Sequence, residues 1–349
     1  METGNMSFVS VVIPCYNAEH FIGETIQSVL RQTRPVNEVI VVDDGSTDDS
    51  ARTAESFGHP VRVVRQSNKG ECGARNRGIK EAKGNMIAFV DADDLWHPEK
   101  IQLQLAYLDE HPEVGAVITS VALFADHIQN RRIFLQLEDE AVRKLKPIDF
   151  LVHWWANQSA LMIRSEVAST VLYPEGITDS GDMIHSVELR MKTVIGAVPE
   201  FLAFYRRHPK QVTNRADHYL RSIKFRTKWA LENYERFGAS SAAEAIVPVL
   251  RPAAENAADF YWERNLAEFK RLRNELLNLW PEEVSPPKEL TRFLFPRFVL
   301  LLRDKIGKLT NSSSRLRNDS SSAGQLQHQS SLGYLSRSGL DKYGINVDL

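Results

Sequence analysis

The chain has 349 residues, 43% hydrophobic and 25% charged, enough to bury a large core, and its formal net charge is −2. That balance gives no reason to expect nucleic acid as a partner. Two cysteines, Cys15 and Cys72, exclude a disulfide framework and fit a reducing compartment.

The first 120 residues alternate short β-branched runs with helix-period segments. Strands are predicted at VSVVIP (9–14), EVIVVDD (38–44), VRVVRQ (61–66), MIAFVD (86–91) and VGAVITS (114–120). A helix over 18–31 carries Phe21, Ile22, Thr25, Ile26, Val29 and Leu30 on one face. Another over 98–110 opens on Pro98 and repeats Ile101, Leu105 and Leu108. Strands apolar on both sides and separated by helices predict an α/β fold, a mostly parallel central sheet with helices on both faces.

Ligands of such sheets gather at the carboxyl ends of the strands, and the polar clusters fall there. The first strand runs into Pro14-Cys15-Tyr16-Asn17, the second into Asp43-Asp44-Gly45-Ser46, the fourth into Asp91-Ala92-Asp93-Asp94. Three carboxylates in four positions repel one another and each loses water, so a cation is expected among them. Asp-x-Asp on a tight turn offers hard oxygen ligands suited to Mg²⁺ or Mn²⁺, commonly shared with a diphosphate. An isolated match is equally well a strand-end turn with Asp93 or Asp94 capping a helix. The acidic VVDDGSTDDS (41–50) adds a second strand end where a carboxylate can meet a nucleobase N–H or a ribose hydroxyl. A nucleotide explains both ends at once.

Four motifs in this order, IPCYNAE, VVDDGSTD, NKGECGARNRGI and FVDADD, resemble the family 2 glycosyltransferases of GT-A fold, over residues 7 to 215. The resemblance implies inverting transfer of a sugar from a nucleotide-sugar, UDP being the commonest nucleotide of the family, to an acceptor hydroxyl. It implies that Pro14, Tyr16 and Glu19 line the nucleotide pocket and that Asp44, rather than Asp43, bonds the base. Gly70 would let the backbone approach, Arg75 and Asn76 would face the nucleotide, and Asp91 would meet ribose or sugar hydroxyls. Asp93 would hold the metal, a divalent Mn²⁺ or Mg²⁺, with Asp94 and His208 as further ligands. The general base matches Asp182 in ITDSGDMIHSVELRM (177–191), with Asp179 as the alternative. Gly181 departs from the pattern, standing where an acidic residue is frequent, so a nucleotide-sugar-binding protein of the same fold is the second reading. Arg206 and Arg207 are phosphate neutralisers or surface charges. The Gln/Arg-x-x-Arg-Trp segment of processive synthases is missing, which implies single addition.

The acceptor half is expected over 121–215. There Trp154 and Trp155 offer faces for sugar stacking or belong to the core, and Asn157 and Gln158 are candidates for acceptor hydroxyls. A helical extension is expected over 216–308, with Leu266, Phe269, Leu272, Leu276 and Trp280 recurring, and a Ser-rich disordered tail over 309–349. METGNMSF lacks a basic-then-apolar signal, and FLFPRFVLLL (293–302) is broken by Pro296 and Arg297, so neither signal peptide nor membrane span is expected. The expectation is a cytoplasmic protein. The basic, apolar stretch 289–308 suits either the headgroup region at the inner face of a membrane or packing on protein. A membrane surface would fit a lipid-linked acceptor in surface-polysaccharide assembly. A dinucleotide-dependent dehydrogenase or a nucleotidyltransferase would require a glycine-rich turn after the first strand, where this chain has IPCYNAEH.

Overall fold

Of the first four strands, the first, second and fourth are buried along nearly their whole length, and the third, VRVVR at the sheet edge, only in part. The computed structural model describes residues 7–287 apart from 126, 153–156, 178, 210, 212–217 and 263–265. β1 (Val9–Cys15), β2 (Glu38–Asp43), β3 (Val61–Arg65) and β4 (Met86–Phe89) pair in parallel in the order β3-β2-β1-β4. The helices α1 (Ile22–Leu30), α2 (Ser50–Glu55) and α3 (Gly70–Glu81) alternate with them along the chain. α1 buries Ile22, Thr25, Ile26 and Val29 of the predicted stripe, while Phe21 ahead of it is half-buried and Leu30 at its end is exposed. α3 lies against β1 so closely that a Cβ at Gly78 would overlap the methyl groups of Val12.

The second half extends the same sheet. β5 (Leu95–Trp96) and α4 (Lys100–Glu110) lead to β6 (Val114–Phe124) and β7 (Arg132–Leu135); α5 (Asp139–Lys144) and α6 (Pro147–Val152) follow. β8 (Met162–Arg164) inserts antiparallel between β4 and β6. Then come α7 (Ser165–Ala168), α8 (Gly181–Lys192) and the long β9 (Val194–Arg206), which pairs in parallel with β6. The nine strands form one sheet, β3-β2-β1-β4-β8-β6-β9-β5, with β7 on the flank of β6. Predicted strands 38–44 and 86–91 end earlier, at Asp43 and Phe89, because the carboxylates after them sit in turns.

Helices α9 (His218–Asn233), α10 (Ala242–Trp262) and α11 (Leu266–Leu279) follow. Ala230, Ala245, Ile246 and Val249 join the main core. Leu220, Ile223, Leu250, Leu272, Leu276 and Trp280 make a second, smaller one. Arg226 of α9 donates through Nη1 to the Leu151 carbonyl at 2.7 Å, fastening the helical layer to α6. Among the described residues no helix is long and apolar enough to cross a membrane. Trp154, Trp155, the 289–308 stretch and the tail lie outside the described residues.

The α3–β1 contact sets the position of every α3 side chain used below. Gly78→Ala should lower unfolding stability by about 1–3 kcal/mol through overpacking, read as an earlier urea midpoint. An unmoved midpoint would mean that Val12 yields without cost.

Candidate active site

The loops after β1 and β2 hold each other. The Asp44 amide donates to the Cys15 carbonyl at 2.8 Å. Asn17, at φ +52°, accepts the Thr47 amide on Oδ1 at 2.9 Å. Glu19 accepts the Asp49 amide at 3.1 Å, while its own amide donates to Asp48 at 3.1 Å. Glu19 thus braces the loop that follows β2. Pro14 is half-buried within β1, and Tyr16 stands 52% exposed beyond it. Asp44 accepts Gln66 Nε2 at 2.7 Å and the Lys69 amide at 2.8 Å, both on Oδ1; Oδ2 has no partner among the described residues. Gly45 turns at φ +80°, and a Cβ there would come within 3.2 Å of the Asn68 nitrogen.

The acidic turn after β4 gives its three carboxylates three different surroundings. The Asp94 amide bonds the Asp91 carbonyl at 3.1 Å, closing the turn. Asp91 takes Arg75 Nη2 at 2.7 Å. Asp93 faces His208 Nε2, 2.9 Å from its Oδ2. Asp94 is fully buried: the Ser159 hydroxyl donates to Oδ2 at 2.5 Å and the Arg206 amide to Oδ1 at 3.0 Å. Burial, then Asp93 and Asp91, push the Asp94 carboxyl well above the carboxylate range. Sequence adjacency grouped Asp94 with Asp93, yet its oxygens are spent on bracing the turn. Among the described residues no three His, Cys, Asp or Glu side chains are grouped to hold a metal by themselves. The Asp93–His208 pair, one hard oxygen donor and one imidazole, fits a divalent ion that completes its shell elsewhere.

Arg206 is a buried strut. Its Nε donates to the Asp93 carbonyl at 2.8 Å and its Nη2 to Glu24 at 2.5 Å, and its guanidinium lies over Phe124 and Phe21, 4.6 and 5.3 Å from the ring centroids. Of its two expected roles, surface charge is overturned by an exposure of 8%.

α3 begins at Gly70, φ +76°, and carries Arg75 inward. Arg75 is 2% exposed, with Asp91 at 2.7 Å, Glu71 at 3.5 Å and the Tyr173 ring 5.4 Å below it. Burial works against the guanidinium charge, and Asp91 and Glu71 outweigh it, so its pKa rises. Asp91 is raised in turn, first by burial, with Arg75 pulling against it. Asn76 turns the other way. It donates to the Tyr173 carbonyl at 2.8 Å, accepts the Tyr173 amide at 2.8 Å, and so positions the segment beneath Arg75. Tyr173 stacks on His185 at 3.7 Å and donates its hydroxyl to Gln158. Gln158 and Asn157 are buried, which removes them from an acceptor surface. Burial holds His185 near 3, hence neutral.

Asp182 lies in the first turn of α8, half-buried, accepting the Met183 amide at 2.8 Å. Its charge reaches Glu71, Asp91 and Tyr173. Asp179, the alternative base, is buried and bound to His218 Nδ1 at 2.5 Å and Arg221 Nε at 2.8 Å. Ser180 precedes α8 in a left-handed conformation and bonds the Ser222 hydroxyl at 2.5 Å. A side chain at Gly181 would overlap Cys72 Sγ, which accounts for glycine there. Ser159 and Tyr173 carry no signal as isolated letters, and Glu71, though inside NKGECGARNRGI, is given no role by that motif; the Arg75–Asp91 pair joins two of the quoted motifs.

Residues 10–159 match the model of glycosyl transferase family 2. The glycosyltransferase GlyG of Streptococcus pneumoniae is 29% identical over 245 residues, covering 66% of this chain and 78% of GlyG. The Escherichia coli protein WfgD, a UDP-Glc:alpha-D-GlcNAc-diphosphoundecaprenol beta-1,3-glucosyltransferase, is 41% identical over 103 residues, 29% of this chain and 40% of WfgD. Three rickettsial glycosyltransferases match at 41–43% identity, but the shared segment spans only 15–18% of their length. The structure of residues 1–349 of S. aureus TarS in complex with UDP-GlcNAc superposes with a TM-score of 0.58 at 19% identity, covering 79% of this chain and 82% of that one, and shares its fold. Residues 10–159 are thus a segment of glycosyl transferase family 2 type.

Proposed function

We propose that this protein transfers one sugar, with inversion, from a UDP-sugar to a hydroxyl of a glycan or lipid-linked acceptor in cell-surface polysaccharide synthesis. The observation that carries the reading is the junction of Arg75, Asp91 and Asp182, drawn from α3, the acidic turn and α8 into mutual electrostatic reach. A cluster of a buried guanidinium and several carboxylates suits a ligand with both phosphate and hydroxyl groups.

On the nucleotide side, Asp44 Oδ2 accepts the base N–H, and the exposed Tyr16 ring offers it a face. Asp91, held by Arg75, takes hydroxyls of ribose or sugar. Asp93 with His208 holds the divalent ion, Mn²⁺ or Mg²⁺. When bound, such an ion offsets the charge that builds on the departing diphosphate. Asp94 keeps the Asp93 backbone in place rather than ligating. Asp182 accepts the acceptor hydroxyl proton as that oxygen bonds the anomeric carbon from the face opposite the leaving UDP. The bond from that carbon to the diphosphate oxygen breaks with its electrons, giving UDP. The basic, apolar stretch 289–308 supports action at the cytoplasmic membrane face, where a lipid-linked acceptor lies.

Asp182→Asn should leave UDP-sugar affinity within about twofold while transfer falls at least ~10²-fold. Turnover near that of the wild type would remove Asp182 as the base. Asp93→Ala should abolish the Mn²⁺ dependence of UDP binding in calorimetry with little change in melting temperature. Asp94→Ala should do the reverse first. It strands the Ser159 hydroxyl and the Arg206 amide in a buried site and costs about 1–3 kcal/mol of stability. Equal thermal stability of the two variants would contradict this division of roles.

A further inference from the structure

The acidic residue frequent ahead of the base is missing here, and its space is filled. Cys72 Sγ stands where a Cβ of Gly181 would be, so the first turns of α3 and α8 touch. The preceding residue on α3 is Glu71. Its side chain is 49% exposed, and its only described partner is Arg75 Nη2 at 3.5 Å, a loose pairing beside the 2.7 Å bond that the same nitrogen makes to Asp91. Arg75 is enclosed, and its Nε and Nη1 have no partner among the described residues. Glu71 is therefore half-exposed with oxygen capacity in hand, beside an arginine with donors in hand. Arg75 favours the charge on its carboxyl, and Asp182 and Asp91 oppose it.

We propose that Glu71 takes the place of the missing acidic residue, accepting a hydrogen bond from a hydroxyl of the sugar bound between Arg75 and Asp182. The inference rests on the transfer reading above and assigns the sugar, as distinct from the nucleotide, to α3. A charged acceptor to a hydroxyl is among the stronger hydrogen bonds, and its loss is expected to cost about tenfold in affinity.

Calorimetry with UDP, UDP-GlcNAc and UDP-glucose in the presence of Mn²⁺ tests this on the full chain. Glu71→Gln should bind UDP within twofold of the wild type and bind at least one UDP-sugar about tenfold more weakly. Unchanged binding of both UDP-sugars overturns the proposal. So does an equal loss for UDP itself, which would mean that Glu71 acts only by placing Arg75. A second variant tests the exchange of positions. Adding Cys72→Ala and Gly181→Glu to Glu71→Gln opens the space at 181 and returns a carboxylate from α8. It should recover most of the lost UDP-sugar affinity relative to Glu71→Gln/Cys72→Ala, and no recovery counts against the proposal. A wild-type protein that binds UDP-sugars and transfers while Glu71→Gln matches it defeats this inference alone. A wild type that binds neither UDP nor any UDP-sugar defeats the transfer reading and this inference together.

Discussion

Three carboxylates in four residues cannot share one environment, and the fold separates them by giving each its own donor from a different part of the chain. Asp91 takes a guanidinium from α3, Asp93 an imidazole from beyond β9, and Asp94 a hydroxyl together with the amide that ends β9. Each partner comes from 16 to 115 residues away. The acidic turn is thus where the first four strands and the later strands of the sheet are joined. Its charge is balanced only when both halves are folded. Removing the donors of the buried Asp94 strands a polar group away from water, which is costlier than losing an exposed ion pair.

The same join is reinforced by groups that never face the cleft. Arg206 spans from the Asp93 carbonyl to Glu24 on α1. Asn76 clamps the backbone of Tyr173, and the Tyr173 ring lies between Arg75 and a neutral His185 of α8. α3 and α8, which carry Arg75 and Asp182, are therefore in contact through an aromatic stack as well as through Cys72 and Gly181. A shift of either helix is felt by the other because close packing leaves no slack.

Much of this fold was legible in the letters. Strands apolar on both faces, separated by helices of regular period, leave few alternatives to a covered parallel sheet, and the acidic clusters mark its carboxyl ends. The individual roles were less legible, for a geometric reason. A tight turn points adjacent side chains in different directions, so Asp93 and Asp94 read alike and serve differently. A helix does the same to Arg75 and Asn76. Neighbours in sequence inherit one motif; their partners are set by tertiary packing. Ser159, Tyr173 and Glu71 belong to that second class. β9, hidden in an aromatic-rich region that reads as mixed strand and loop, is long because it pairs with β6 along nearly its whole length.

The mooring of α8 bears on where the unit that forms the proposed site ends. Asp179 and Ser180, just ahead of Asp182, are tied to His218, Arg221 and Ser222 of α9. The segment that the family model covers stops at residue 159, well short of both helices. Trimming the chain to that segment would keep the acidic turns but discard Asp182. Trimming it after β9 would keep Asp182 and cast off the anchor of its helix. The helical layer is in this sense part of the framework of the proposed site rather than an appendage to it.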